Sequence, residues 1–85
     1  MNDVEERILG LLGQIDILLA GPRQQLPQQR LWENGMTSLS SVRLLLLVEE
    51  EFDVELPDEA LTRTTFESVG SLAAVVRQAA GGSGS

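Results

Sequence analysis

Apolar residues recur along the N-terminal segment at three- and four-residue spacing. Val4, Ile8, Leu11, Leu12, Ile15, Leu18 and Leu19 form one stripe, the mark of an amphipathic helix. Asn2 or Asp3 can cap its start, and Glu5 and Glu6 sit in the first turn, where the helix dipole favours acids. Gly21-Pro22 stops the pattern, so a first helix running to about Ala20 is predicted. About two heptads are too few for a coiled-coil seam, and a bundle helix is the expectation.

A second helix is predicted from Ser38 to Glu51 or Phe52. Its apolar positions are too many for one stripe, and at 3.6 residues per turn they sort into two faces. Leu44, Leu45, Val48 and Phe52 fall on one side; Leu39, Val42 and Leu46 fall nearly opposite, flanked by Arg43, Glu49 and Glu50. A helix buried all round is hard to arrange in so small a domain. One core face and one partner-facing face are therefore expected. The run Glu49-Glu50-Glu51 opposes the helix dipole, a mild cost that docking would explain, although it also suits a solvated helix end.

Residues 21–37 form a long connection carrying Pro22, Pro27, Asn34 and Gly35, of a length that is functional or disordered in compact domains. Leu26, Leu31 and Trp32 are its expected anchors, with ligand stacking open to Trp32 as an alternative. Asp53-Val54-Glu55-Leu56-Pro57 reads as extended, because the residue before proline avoids the α region. A short helical turn within 58–66 follows. Ser68 then caps a last helix whose Val69, Leu72, Ala73, Val76 and Ala80 share a face. The expected fold is all-α: a four-helix bundle of three long helices and one short, with a long loop between helices 1 and 2. Residues 1–80 make the domain, and 81–85 read as a flexible Gly/Ser tail.

Composition narrows the function. A 42% hydrophobic fraction with only 4% aromatics suits a small helical domain better than a sandwich. Thirteen acids against six arginines give a net charge of −7, which repels phosphate backbones and favours a basic protein partner over nucleic acid. Charges at Glu5, Glu6, Arg7 and Asp16 interrupt the first apolar stretch, so no membrane span or secretory segment is expected there. The absence of cysteine fits a reducing cytoplasm, and a cytoplasmic monomer is expected.

The chain also lacks histidine and lysine. The usual partner that would activate a serine and the usual zinc ligands are missing, carboxylates are the remaining candidates, and neither an EF-hand loop, a P-loop nor a dinucleotide glycine pattern occurs. Neither catalysis nor a metal site is predicted. Ser38, in Gly35-Met36-Thr37-Ser38-Leu39, stands out as a hydroxyl at a helix start. By itself it reads as an N-cap, a role for which Thr37 competes, or as an attachment point that another enzyme modifies.

That motif, the apolar helix after it, the continuation Glu49-Glu50-Glu51-Phe52-Asp53-Val54-Glu55-Leu56-Pro57-Asp58-Glu59 and the small final helix resemble an acyl or peptidyl carrier protein over residues 3–80. The resemblance implies a 4′-phosphopantetheine arm, derived from coenzyme A, on Ser38. It also implies a phosphopantetheinyl transferase as modifier and cargo held as a thioester on the arm's thiol. An acyl- or amino-acid-activating ligase would load that cargo, and a downstream synthase, condensing or tailoring enzyme would receive it, as in polyketide or nonribosomal-peptide pathways. Fatty-acid carriers usually place Asp before the serine and peptide-synthetase carriers place His, so Thr37 leaves the subtype open. Ser40 and Arg43 stand where fatty-acid carriers tend to have acids, and Arg43 is similar to the peptidyl type. The acidic run instead resembles discrete fatty-acid or polyketide carriers. Stand-alone carriers, including those charged by separate adenylating ligases, resemble this mixture best. The expected docking residues are Leu39, Val42, Arg43, Leu46, Glu49 and Glu50. The rival readings are a helical interaction module with Ser38 unmodified and, more distantly, a metal-regulated acidic protein.

Overall fold

Asn2 closes the start of α1 (Asp3–Leu12) with a reciprocal pair of bonds. Its Oδ1 accepts the Glu5 N–H at 2.8 Å, and Glu5 Oε1 accepts the Asn2 N–H at 3.1 Å. The structure, a computed structural model, describes residues 2–82. Ile8, Leu11 and Leu12 are buried as the stripe requires, but the helix ends well short of Ala20. After one 3-10 turn, Gly13–Ile15, Asp16 adopts a left-handed backbone (φ 61°), and the Ile17 N–H donates to Leu12 C=O at 3.1 Å. Gly10 and Gly13 weaken the helix in this stretch, and aspartate tolerates the left-handed region. The predicted stripe breaks accordingly. Leu18 is 83% exposed, whereas Ile17, which helical spacing leaves off the stripe, is buried.

α2 (Ser38–Phe52) matches its predicted limits and turns Leu44 and Val48 fully inward. Leu45 and Phe52 are half-buried beside them. Arg7 of α1 reaches the far end of α2, donating from Nε to Glu51 Oε2 at 3.0 Å and from Nη2 to Glu51 C=O at 2.9 Å. Its guanidinium also lies 4.4 Å from the centroid of the Phe52 ring. At the other end Arg43 Nη2 donates to Gln14 C=O at 3.2 Å. Links at opposite ends make the two helices antiparallel.

α3 (Val69–Gly82) begins on a serine pair: Ser68 Oγ accepts the Ser71 N–H, and Ser71 Oγ accepts the Ser68 N–H, both at 3.1 Å. Val69, Leu72, Ala73 and Val76 are buried. Ala80, predicted on that face, is exposed, and Ala79 packs instead. The inward line runs 69, 72, 76, 79 in alternating steps of three and four, the advance of a 3.6-residue turn. The helix continues two residues past the expected domain limit, to Gly82, and the rest of the predicted tail, 83–85, lies outside the described residues.

The connection 21–37 is folded rather than loose. It holds two 3-10 turns, Arg23–Gln28 and Leu31–Asn34. Leu31 is fully buried and bonds through its N–H to Glu67 C=O at 2.8 Å. Leu26 and Trp32 are half-buried, and Pro27 and Met36 join the core, which spacing alone does not flag. Arg23 Nη2 meets Glu6 Oε1 at 2.8 Å, and this hydrogen bond holds the Glu6 carboxyl below its ordinary pKa. The predicted short helix is a single 3-10 turn, Asp58–Ala60, with turns and bends through 62–67. Among the described residues no helix is long and apolar enough to cross a membrane, and no cluster of three metal-ligating side chains occurs.

The segment after α2 is fastened by Glu49, whose Oε2 accepts the N–H of Leu56 at 2.9 Å. Leu56 is buried, so losing that acceptor leaves a part-buried donor unsatisfied. Glu49→Ala is expected to cost about 1–2 kcal/mol in urea denaturation. Glu49→Gln, whose amide oxygen still accepts, is expected to cost less.

Candidate functional site

Each residue of the sequence motif has a separate structural task. Gly35 ends the turn Leu31–Asn34 at φ 107°, a backbone that glycine adopts without strain. The chain reverses there, and the Met36 N–H returns to Leu31 C=O at 3.0 Å. Met36 is buried in the core. Thr37 is the N-cap: extended at φ −123°, it accepts the Ser40 N–H on Oγ1 at 3.1 Å. Its C=O takes the Ser41 N–H at 2.9 Å.

Ser38 is thereby relieved of the capping role open to it from the sequence. It occupies the first helical position, is exposed, and its hydroxyl makes no hydrogen bond among the described residues. Its neighbours differ. Ser40 Oγ is paired with Thr37 Oγ1 at 3.1 Å, and Ser41 Oγ donates to Ser38 C=O at 2.7 Å. Of the first-turn N–H groups, those of Ser38 and Leu39 are left to solvent or an anion.

Ser38, Val42, Leu45 and Glu49 fall at i, i+4, i+7 and i+11, one line along α2. Residues 61–66 face this part of α2, and Glu49 holds the start of their segment through Leu56. An open groove of about 300 Å³ lies there, lined by Ser38 and Ser41, by the apolar Val42, Leu45, Leu61 and Phe66, and by Trp32 and Arg63. Trp32 Nε1–H donates to Arg63 C=O at 3.1 Å, and the Arg63 guanidinium lies 4.2 Å from the indole centroid. The groove's α2 wall is readable from the helical period. Its far wall and the Trp32–Arg63 pair, 31 residues apart, have no local signal.

The predicted docking residues lie on the exterior of α2. Leu39, Val42 and Leu46 are 71%, 53% and 60% exposed, a large apolar area that the described residues leave uncovered. Arg43 and Glu50 flank them in solvent. Glu49 differs, being half-buried with one carboxylate oxygen taken by Leu56.

The family model described as "phosphopantetheine attachment site" matches residues 7–76. The chain belongs to that carrier-protein family. It is 38% identical over 75 residues to aminoacyl carrier protein 1 of Bradyrhizobium diazoefficiens, covering 88% of this chain and 83% of the relative. It is 35% identical over 78 residues to the aminoacyl carrier protein of Agrobacterium fabrum, covering 91% and 89% respectively. In solved structures it resembles a chain in the crystal structure of an engineered Bradyrhizobium japonicum glycine:[carrier protein] ligase complexed with carrier protein from Agrobacterium tumefaciens and ATP. The TM-score there is 0.73 at 31% identity, covering 87% of this chain and 96% of that one.

The cofactor of this carrier-protein family is a covalently attached 4′-phosphopantetheine. The residues present fit it. A phosphodiester at Ser38 would meet two free backbone N–H groups and the positive end of α2. An extended chain leaving that point has an apolar groove beside it.

Proposed function

We propose that Ser38 is the attachment point of the phosphopantetheine arm and that this carrier protein holds aminoacyl cargo. When bound, the arm supplies a terminal thiol on which cargo is carried as a thioester. The observation that carries the assignment is the Ser38 hydroxyl itself, exposed and unbonded among the described residues while Thr37 does the capping and Ser40 and Ser41 are engaged. The two aminoacyl carrier relatives support the cargo class.

The chain's own part is presentation. With no histidine, cysteine or lysine, carboxylates are its remaining candidates for acid–base work, and we read it as a non-catalytic, cytoplasmic monomer. α2 offers Leu39, Val42 and Leu46 as an apolar docking strip, with Arg43 and Glu50 fixing orientation. Glu49 acts from beneath as a brace for the segment 54–66. The partners are a phosphopantetheinyl transferase, a separate amino-acid-activating ligase and an acceptor enzyme downstream, in a pathway related to polyketide or nonribosomal-peptide assembly. Incubation with coenzyme A and a broad-specificity transferase is expected to add the mass of one phosphopantetheinyl group, mapped to Ser38 by fragmentation. A chain that gains no mass is instead a helical interaction module.

A further inference from the structure

The arginines of this acidic chain are not deployed alike. Arg7 pairs with Asp3 and Glu51, Arg23 with Glu6 and Arg30 with Glu33. Arg43 is bonded to Gln14 C=O. Arg63 has no carboxylate partner and no side-chain hydrogen bond among the described residues, yet it is held in place. Its guanidinium rests on the Trp32 ring, and the Trp32 indole N–H is bonded to the backbone of the same residue. Stacking fixes the plane of a guanidinium while leaving its N–H edge unused. Arg63 lines the same groove as Ser38 and is the cation among its lining residues.

With Ser38 taken as the attachment point, we infer that Arg63, oriented by Trp32, is a positioning residue for the phosphodiester. It draws the base of the arm toward the groove rather than toward the docking strip. The chemistry is complementary. A phosphodiester oxygen is a monoanionic acceptor, an arginine edge is a donor set that does not lose its charge, and the surrounding chain carries a net −7 that would otherwise repel the anion. Arg77 on α3, which does not line the groove, carries the same charge without the position and serves as a control.

Protein loaded with the arm, with loading checked by intact mass, is compared with its unloaded form by proton–nitrogen NMR. The Arg63 Nε–H and Trp32 Nε1–H resonances are expected to move on loading, and that of Arg77 is expected to stay. In phosphorus NMR the phosphodiester resonance is expected to shift with added NaCl in the wild type and in Arg77→Gln, and by less in Arg63→Lys, which keeps the charge but not the stacked plane. In Arg63→Gln it is expected to sit at the high-salt position throughout. Loaded wild-type protein whose Arg63 and Trp32 resonances do not move overturns the role of Arg63 and leaves attachment at Ser38 standing. An Arg63→Gln spectrum identical to wild type at low salt does the same. A chain that takes up no mass at Ser38 overturns the attachment itself, and with it the role of Arg63.

Discussion

Ser38→Ala is expected to abolish phosphopantetheinyl uptake completely, while Ser40→Ala and Ser41→Ala keep it. The three serines lie within one turn of α2, so proximity alone does not separate them. Their hydrogen bonds do. Ser40 shares a bond with Thr37 and Ser41 donates to Ser38 C=O; both are half-buried, whereas the Ser38 hydroxyl is exposed and unbonded. Because Ser38 caps nothing, its loss leaves the helix start intact, and stability is expected to stay within about 0.5 kcal/mol of wild type. Thr37→Ala reverses the pattern. It removes the Oγ1 acceptor of the Ser40 N–H and is expected to cost about 1 kcal/mol while retaining uptake. Intact mass after incubation with coenzyme A and transferase, with circular dichroism melts alongside, decides the matter. Ser38→Ala protein that still gains the full mass would end the assignment.

Local patterns were legible where one physical effect acted alone. The limits of α2, its two faces and the serine cap of α3 follow from helical period and capping chemistry, and each is found. Apolar spacing alone carries α1 through Gly10, Gly13 and Asp16, whose backbone preferences end the helix. Leu18 and Ile17 exchanged places as a result. Thr37 and Ser38 were both plausible caps, since cap propensity scarcely separates threonine from serine; only the backbone geometry assigns the bond. Glu49 reads from the sequence as part of an acidic surface run, and its bond to Leu56 depends on how the chain turns back between Asp53 and Leu56, which no local rule gives. The same holds for Arg63, whose partner Trp32 comes from the distant connection between α1 and α2.

Leu44→Ala and Leu46→Glu, two positions apart on one helix, are expected to fail in opposite ways. Leu44 is fully buried among the core leucines and valines of all three helices. Truncating it removes transfer free energy and leaves a cavity, together worth about 2–5 kcal/mol. A domain of this size has roughly 5–10 kcal/mol in all, so the melting temperature is expected to fall by about 10 °C or more, and uptake declines only as folded protein is lost. Leu46 is 60% exposed and its neighbours on the strip, Leu39 and Val42, are exposed too. A glutamate there touches solvent, is expected to change stability by less than about 0.5 kcal/mol, and keeps the melt unchanged. It does place a charge in the middle of the apolar strip and deepens an already acidic surface. If the strip receives the transferase, losing one central apolar contact is worth more than about 1.4 kcal/mol, or roughly tenfold in rate. The two-faced helix therefore predicts a crossed result: Leu44→Ala protein is unstable but loads at the wild-type rate per folded molecule, and Leu46→Glu protein is stable but loads slowly. Equal loading by Leu46→Glu and wild type, measured by initial rates at limiting transferase, would leave the exposed leucines without a docking role.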